Sequence, residues 1–136
     1  MILKNYEINK IQNINHFILF YGKNEGLKNE ALNILIKNKN NISNYDEKEI
    51  LDNENTFIES ILSKSLFEQE KIVVIKRATD KILNIIQTLQ LKKLDEVTII
   101  LNSENLDKKS KLRIFFEKDK ELICVPFYPD NDQTLS

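Results

Sequence analysis

The chain reads as a doubly wound α/β domain, a parallel five-stranded sheet with helices on both faces. Two observations predict it. Apolar runs that do not alternate with polar residues recur at Phe17–Tyr21, 72–75, 97–101 and 122–125, as expected of strands buried on both faces. Between them lie segments whose apolar residues recur at helical spacing, and strands separated by helices require parallel crossovers.

Taken in order, Phe17–Tyr21 is the first strand, ended by Gly22, and Leu27, Ala31, Ile34 and Leu35 mark one face of the helix that follows. Ile42–Asp46 is a weaker strand candidate, and Phe57, Ile58, Ile61 and Leu62 give the inward face of a helix before Lys64. Residues 72–75 are four consecutive β-branched residues, followed by a helix carrying Ile82, Leu83, Ile85, Ile86 and Leu89. Asp80 is placed to cap that helix near Lys81. Residues 97–101 form the fourth strand, and Leu112, Phe115 and Phe116 the buried side of a helix beginning near Asp107. Residues 122–125 form the fifth strand, ended by Pro126 and Pro129.

A length of 136 residues and a hydrophobic content of 41% suit one domain with one core, so residues 1–136 are read as a single unit. The polar stretch 130–136 arrives where another segment would begin, and the chain reads as the first part of a longer protein. Residues 1–10 carry charges where a signal peptide would be apolar, and no apolar stretch is long enough to span a membrane, so a cytoplasmic location without membrane contact is expected. One cysteine and one histidine provide neither an internal disulfide nor a zinc ligand set. A net charge of -1 lacks the basic footprint of an independent nucleic-acid binder, so any DNA contact must be local or shared.

A strand, a glycine turn and a helix together are the setting of a phosphate-binding loop, and Gly22-Lys23-Asn24-Glu25-Gly26-Leu27-Lys28-Asn29 can be tested against G-x-x-x-x-G-K-[ST]. Gly22 and Lys28 fall on the pattern. Leu27 stands where the second glycine lets phosphate approach the backbone, and Asn29 where a hydroxyl binds magnesium. Glu25 adds a charge that repels phosphate. The central strand, where an acidic pair would hold magnesium, runs instead into Lys76-Arg77. The loop is therefore read as degenerate, with no nucleotide or metal cofactor expected.

No other catalytic grouping emerges. Asn102, ending the fourth strand, reads as a turn residue, His16 has no partner legible in the sequence, and Cys124 lies inside an apolar strand. Ser63, Ser65, Ser103 and Ser110 lack a nucleophile-elbow pattern. Lys108, Lys109, Lys111 and Arg113 form a basic cluster that either faces DNA or a neighbouring subunit or is the solvated face of a helix. Leu66 follows Ile58 and Leu62 at helical spacing, which suits a core position, whereas Phe67 lies off that stripe.

Four segments, in this order and spacing, resemble the delta subunit family of the bacterial DNA polymerase III clamp loader: Phe17-Ile18-Leu19-Phe20-Tyr21-Gly22 with Glu25-Gly26-Leu27; Lys64-Ser65-Leu66-Phe67 before the third strand; Leu106-Asp107-Lys108-Lys109-Ser110-Lys111-Leu112-Arg113; and Val125-Pro126-Phe127-Tyr128-Pro129-Asp130. The resemblance implies a three-layer P-loop NTPase or AAA+-like (RecA-like) domain that has lost ATP binding. It also implies a non-catalytic role within a DNA-directed DNA polymerase complex. Leu66 and Phe67 would protrude from a helix tip into the apolar pocket of the β sliding clamp and open the ring for loading onto primed DNA. The delta-prime and ATPase (gamma/tau) subunits would be reached through a lid-like domain and a helical collar beyond Ser136. Two other readings stay open: a nucleotide-binding P-loop NTPase using Lys28 on phosphate, and a scaffold domain without clamp activity.

Overall fold

The computed structural model describes residues 2–4, 7–8, 11, 17–37, 39, 41–66, 71–92, 94 and 97–127, with the side chains of 64–66 excepted. Five strands, β1 (Phe17–Tyr21), β2 (Ile42–Asp46), β3 (Lys71–Lys76), β4 (Val97–Asn102) and β5 (Ile123–Pro126), form one sheet in the order β2-β3-β4-β1-β5. All four pairings are parallel. The helices are α1 (Glu25–Ile36), α2 (Glu47–Asp52), α3 (Glu54–Leu66), α4 (Leu83–Leu91) and α5 (Lys111–Lys118), with a 3-10 turn at Asp80–Ile82 leading into α4.

Strand order and handedness together assign the helices to faces. The step from β1 to β2 runs towards one edge of the sheet, and every later step runs towards the other. Right-handed crossovers therefore place α1 on one face and the later helices on the opposite face. The two cores agree with this. On the first face, Ile18, Phe20, Ile72, Val74, Ile100, Ile123 and Val125 pack with Ala31 of α1. The alternate strand residues Phe17, Leu19, Tyr21, Val73, Ile75, Ile99, Leu101 and Cys124 face the other way. They pack with Phe57 and Ile61 of α3, Ile85, Ile86 and Leu89 of α4, and Leu112 and Phe116 of α5.

The N-terminal residues complete the outer edge of β5. Ile2 bridges Cys124 in parallel, Leu3 N–H donates to the Cys124 carbonyl at 2.9 Å, and the Leu3 and Ile8 side chains are buried. Cys124 is thus enclosed, and burial, with a smaller contribution from the negative charge of Glu117, pushes its thiol up to about 12.

Four local expectations change. The helix expected to stop before Lys64 continues to Leu66, since nothing between Ser63 and Leu66 breaks a helix. The helix expected near Asp107 starts at Lys111, with Ser110 as its N-cap accepting from Arg113 N–H at 3.3 Å. Asn102 is the last paired residue of β4 rather than part of a turn, and its carbonyl accepts from Ala78 N–H at 3.1 Å. Asp80 does not cap the helix that follows: it lies inside the 3-10 turn, which Thr79 caps, its hydroxyl accepting from Lys81 N–H at 3.2 Å, and α4 begins after Ile82 without a side-chain cap. Asp80 instead reaches the start of α5, accepting from Ser110 Oγ at 2.6 Å and from the backbone N–H groups of Leu112 and Lys111 at 3.1 and 3.2 Å. Among the described residues, no helix is long and apolar enough to cross a membrane.

Candidate functional site

In an open parallel sheet, ligands bind outside the carboxyl ends of the strands, where neighbouring strands send their connections to opposite faces. Here that place is the β1–β4 junction, because α1 leaves β1 over one face and α5 follows β4 over the other. Gly22 and Lys28 therefore stand at the expected crevice.

The crevice is closed by the chain itself. Ser103 N–H donates to the Phe20 carbonyl at 2.7 Å and Gly22 N–H to the Glu104 carbonyl at 3.1 Å, joining the two loops that flank it. Lys28 is fully buried. Its Nζ donates to the Ser103 carbonyl at 2.9 Å and pairs with Glu25 Oε1 at 2.7 Å. Ser103 Oγ is buried there with no hydrogen-bond partner among the described residues. Gly22 has φ +125, and an added Cβ would overlap the Phe127 carbonyl, so glycine is required by the close approach of this turn to the end of β5. Leu27 is half-buried and Asn29 exposed, and the Asn24 side chain accepts from Leu27 N–H at 3.1 Å, capping α1.

Other polar groups along this edge are also engaged. Arg77, just past β3 with φ 57, holds Asp46 through Nε at 2.9 Å and Nη2 at 2.8 Å. Glu47, buried at the start of α2, accepts from Thr79 Oγ1 at 2.7 Å. For Asp80, burial acts to raise the carboxyl pKa, but the hydrogen bonds from Ser110, Leu112 and Lys111 and the charge of Lys111 together hold it below its ordinary value. Among the described residues, no cluster of His, Cys, Asp and Glu could hold a metal ion.

The basic cluster divides. Lys108, Lys109 and Lys111 are exposed at the start of α5. Arg113 turns inward: it pairs with Glu117 at 3.0 Å, donates to the Leu106 carbonyl at 2.9 Å and lies 4.9 Å from the centre of the Tyr21 ring.

Leu66 is the last residue of α3. Since α3 returns the chain to the start of β3, its C-terminal end lies at the edge where the strands begin, opposite the crevice. The buried residues Phe57 and Ile61 are four apart, and the next position at that spacing is Ser65. Leu66 follows the half-buried Ile58 and Leu62 by the same count. Its side chain, together with Phe67 and His16, lies outside the described residues.

Sequence reasoning identified Gly22 and Lys28 but not their partners Ser103 and Glu104, which come from a loop 75 residues beyond Lys28. The unbroken run ending β4 was the signal that could have placed that loop beside β1. No protein-family model matches the chain, and no curated protein is significantly similar to it.

Proposed function

We propose that this domain is a non-catalytic binding module that grips the β sliding clamp through Leu66 and Phe67, in the manner of the clamp-loader delta subunits it resembles, with an AAA+-like fold whose phosphate loop has become structural. The observation that carries the reading is the Lys64-Ser65-Leu66-Phe67 segment itself, which lies between α3, whose last described residue is Leu66, and β3, in the order the resemblance requires. The engagement of Lys28 by Ser103 and Glu25 supports a role that does not use nucleotide. The same engagement weighs against a P-loop NTPase reading, since a phosphate would have to displace both partners.

Burying a leucine and a phenylalanine in a partner's pocket contributes roughly 3 to 6 kcal/mol before the costs of association. Titration of purified β clamp with the chain is therefore expected to show saturable binding, weakened by about two to four powers of ten in a Leu66→Ala, Phe67→Ala double variant that retains its circular dichroism. Absence of binding by the native chain, or binding indifferent to the double change, would refute the proposal.

A further inference from the structure

The two edges of the sheet are finished differently. Beyond β5, the Ile2 bridge and the Leu3 N–H bond to the Cys124 carbonyl cover the outer backbone. Beyond β2, no strand follows among the described residues. The ladder to β3 tells which groups are left. Ile72 N–H donates to the Asn41 carbonyl at 2.8 Å, so Asn41, Ser43 and Tyr45 turn their backbone groups towards β3, and Ile42, Asn44 and Asp46 turn theirs outward. Asp46 N–H is already given to Glu49 Oε1 at 3.1 Å, where α2 begins. Ile42 and Asn44 each keep an N–H and a carbonyl without a partner among the described residues. Edge strands are ordinarily blunted by a proline, a bulge or a charged side chain. The stretch 41–45, Asn-Ile-Ser-Asn-Tyr, has no proline and no charge, and its register with β3 is unbroken.

We propose that β2 pairs with β2 of a second copy of this chain, antiparallel across a twofold axis, joining the two sheets edge to edge. The available groups fix the register. Facing residues of an antiparallel ladder exchange both of their hydrogen bonds at alternate positions. Setting Ile42 against the partner's Asn44, and Asn44 against the partner's Ile42, uses every outward group of the two residues once. Ser43 then meets its own copy on the axis, at a position without hydrogen bonds where Cα atoms lie about 4.5 Å apart. Centring the pair on Asn44 instead would call on Asp46, whose N–H is taken. Parallel strands related by a twofold would set identical residues level, N–H against N–H, so only the antiparallel pair closes. The edge therefore complements itself, and that makes a second copy the occupant. Charge agrees, because the arrangement brings Lys37 and Lys39, before the strand, to the partner's hollow beside α2, where carboxylates outnumber bases even with Lys48, Arg77 and Lys81 included. The pairing uses backbone groups of β2 and nothing at the end of α3, so it stands whether or not the clamp reading holds.

The test uses the whole 136-residue chain with one introduced thiol, since Cys124 is buried and does not compete. In oxidised glutathione, Ser43→Cys is expected to form a disulfide-linked dimer about tenfold faster than Asn44→Cys, whose Cα atoms this register holds too far apart to bridge. Sedimentation equilibrium of the native chain is expected to show a reversible monomer–dimer equilibrium. It should be a weak one, because two five-residue strands bury less than the roughly 1,200 Å² of a stable interface. Asn44→Pro removes one outward N–H and leaves the ladder to β3 whole. It is expected to keep the melting temperature, to lose the dimer and, combined with Ser43→Cys, to lose the fast cross-link. A native chain that stays monomeric at every concentration, equally fast cross-linking from positions 43 and 44, or a dimer that survives Asn44→Pro would overturn the proposal.

Discussion

A lysine that serves a phosphate must present its ammonium to the ligand, whereas Lys28 commits its Nζ to the Ser103 carbonyl and Glu25. Lys28→Met keeps most of the apolar stem but leaves that carbonyl without its donor. It is expected to destabilise the fold by roughly 1 to 3 kcal/mol, read as a lower urea midpoint. Ser103→Ala removes a buried hydroxyl that has no partner among the described residues and is expected to leave the midpoint unchanged or raise it. The departure of Leu27 and Asn29 from the phosphate-loop pattern was legible in the sequence. What replaces the phosphate was not, because a lysine-to-carbonyl contact across 75 positions leaves no periodic or compositional trace.

At the level of elements, β1, β3, β4 and β5 were plain in the sequence, since a strand buried on both faces announces itself as a continuous apolar run. The edge strand β2, half-buried along most of its length, gave the fainter signal that its mixed residues Ile42–Asp46 carry. Helix boundaries were harder to read. Helix α2 has six residues, too few for a helical period, and its signal is the Asp46-to-Glu49 spacing, with Asp46 N–H donating to Glu49 Oε1 at 3.1 Å. The start of α5 was misplaced because its capping acid comes from the turn before α4. That tie also makes stability depend on pH. Because the carboxyl pKa of Asp80 is lowered in the fold, its contribution is fully present above the unfolded value of about 4 and is lost as the pH falls through the lower folded value. Asp80→Asn is expected to flatten the acid limb of the stability profile below about pH 4. It should also lower the melting temperature at neutral pH by a few degrees at most, since a solvent-screened cap contributes no more than about 1 kcal/mol.

Across the whole molecule, the two ends of the sheet differ in kind. The carboxyl end is stitched shut by Ser103, Gly22 and Lys28, while α3 terminates at the other end, roughly 20 Å away along a strand the length of β3. A body closed at one end suits the proposed grip at the other, since no ligand is needed to order it. The enclosure of Cys124 has a practical consequence. A thiol held up at about 12 has almost no thiolate at neutral pH, and it lies between β1 and the Ile2 bridge. Aromatic disulfide reagents should therefore react with it only when β5 comes away from its neighbours, so the labelling rate should rise with urea. The chain carries its own clock for the opening of its sheet, with one thiol and no engineered probe.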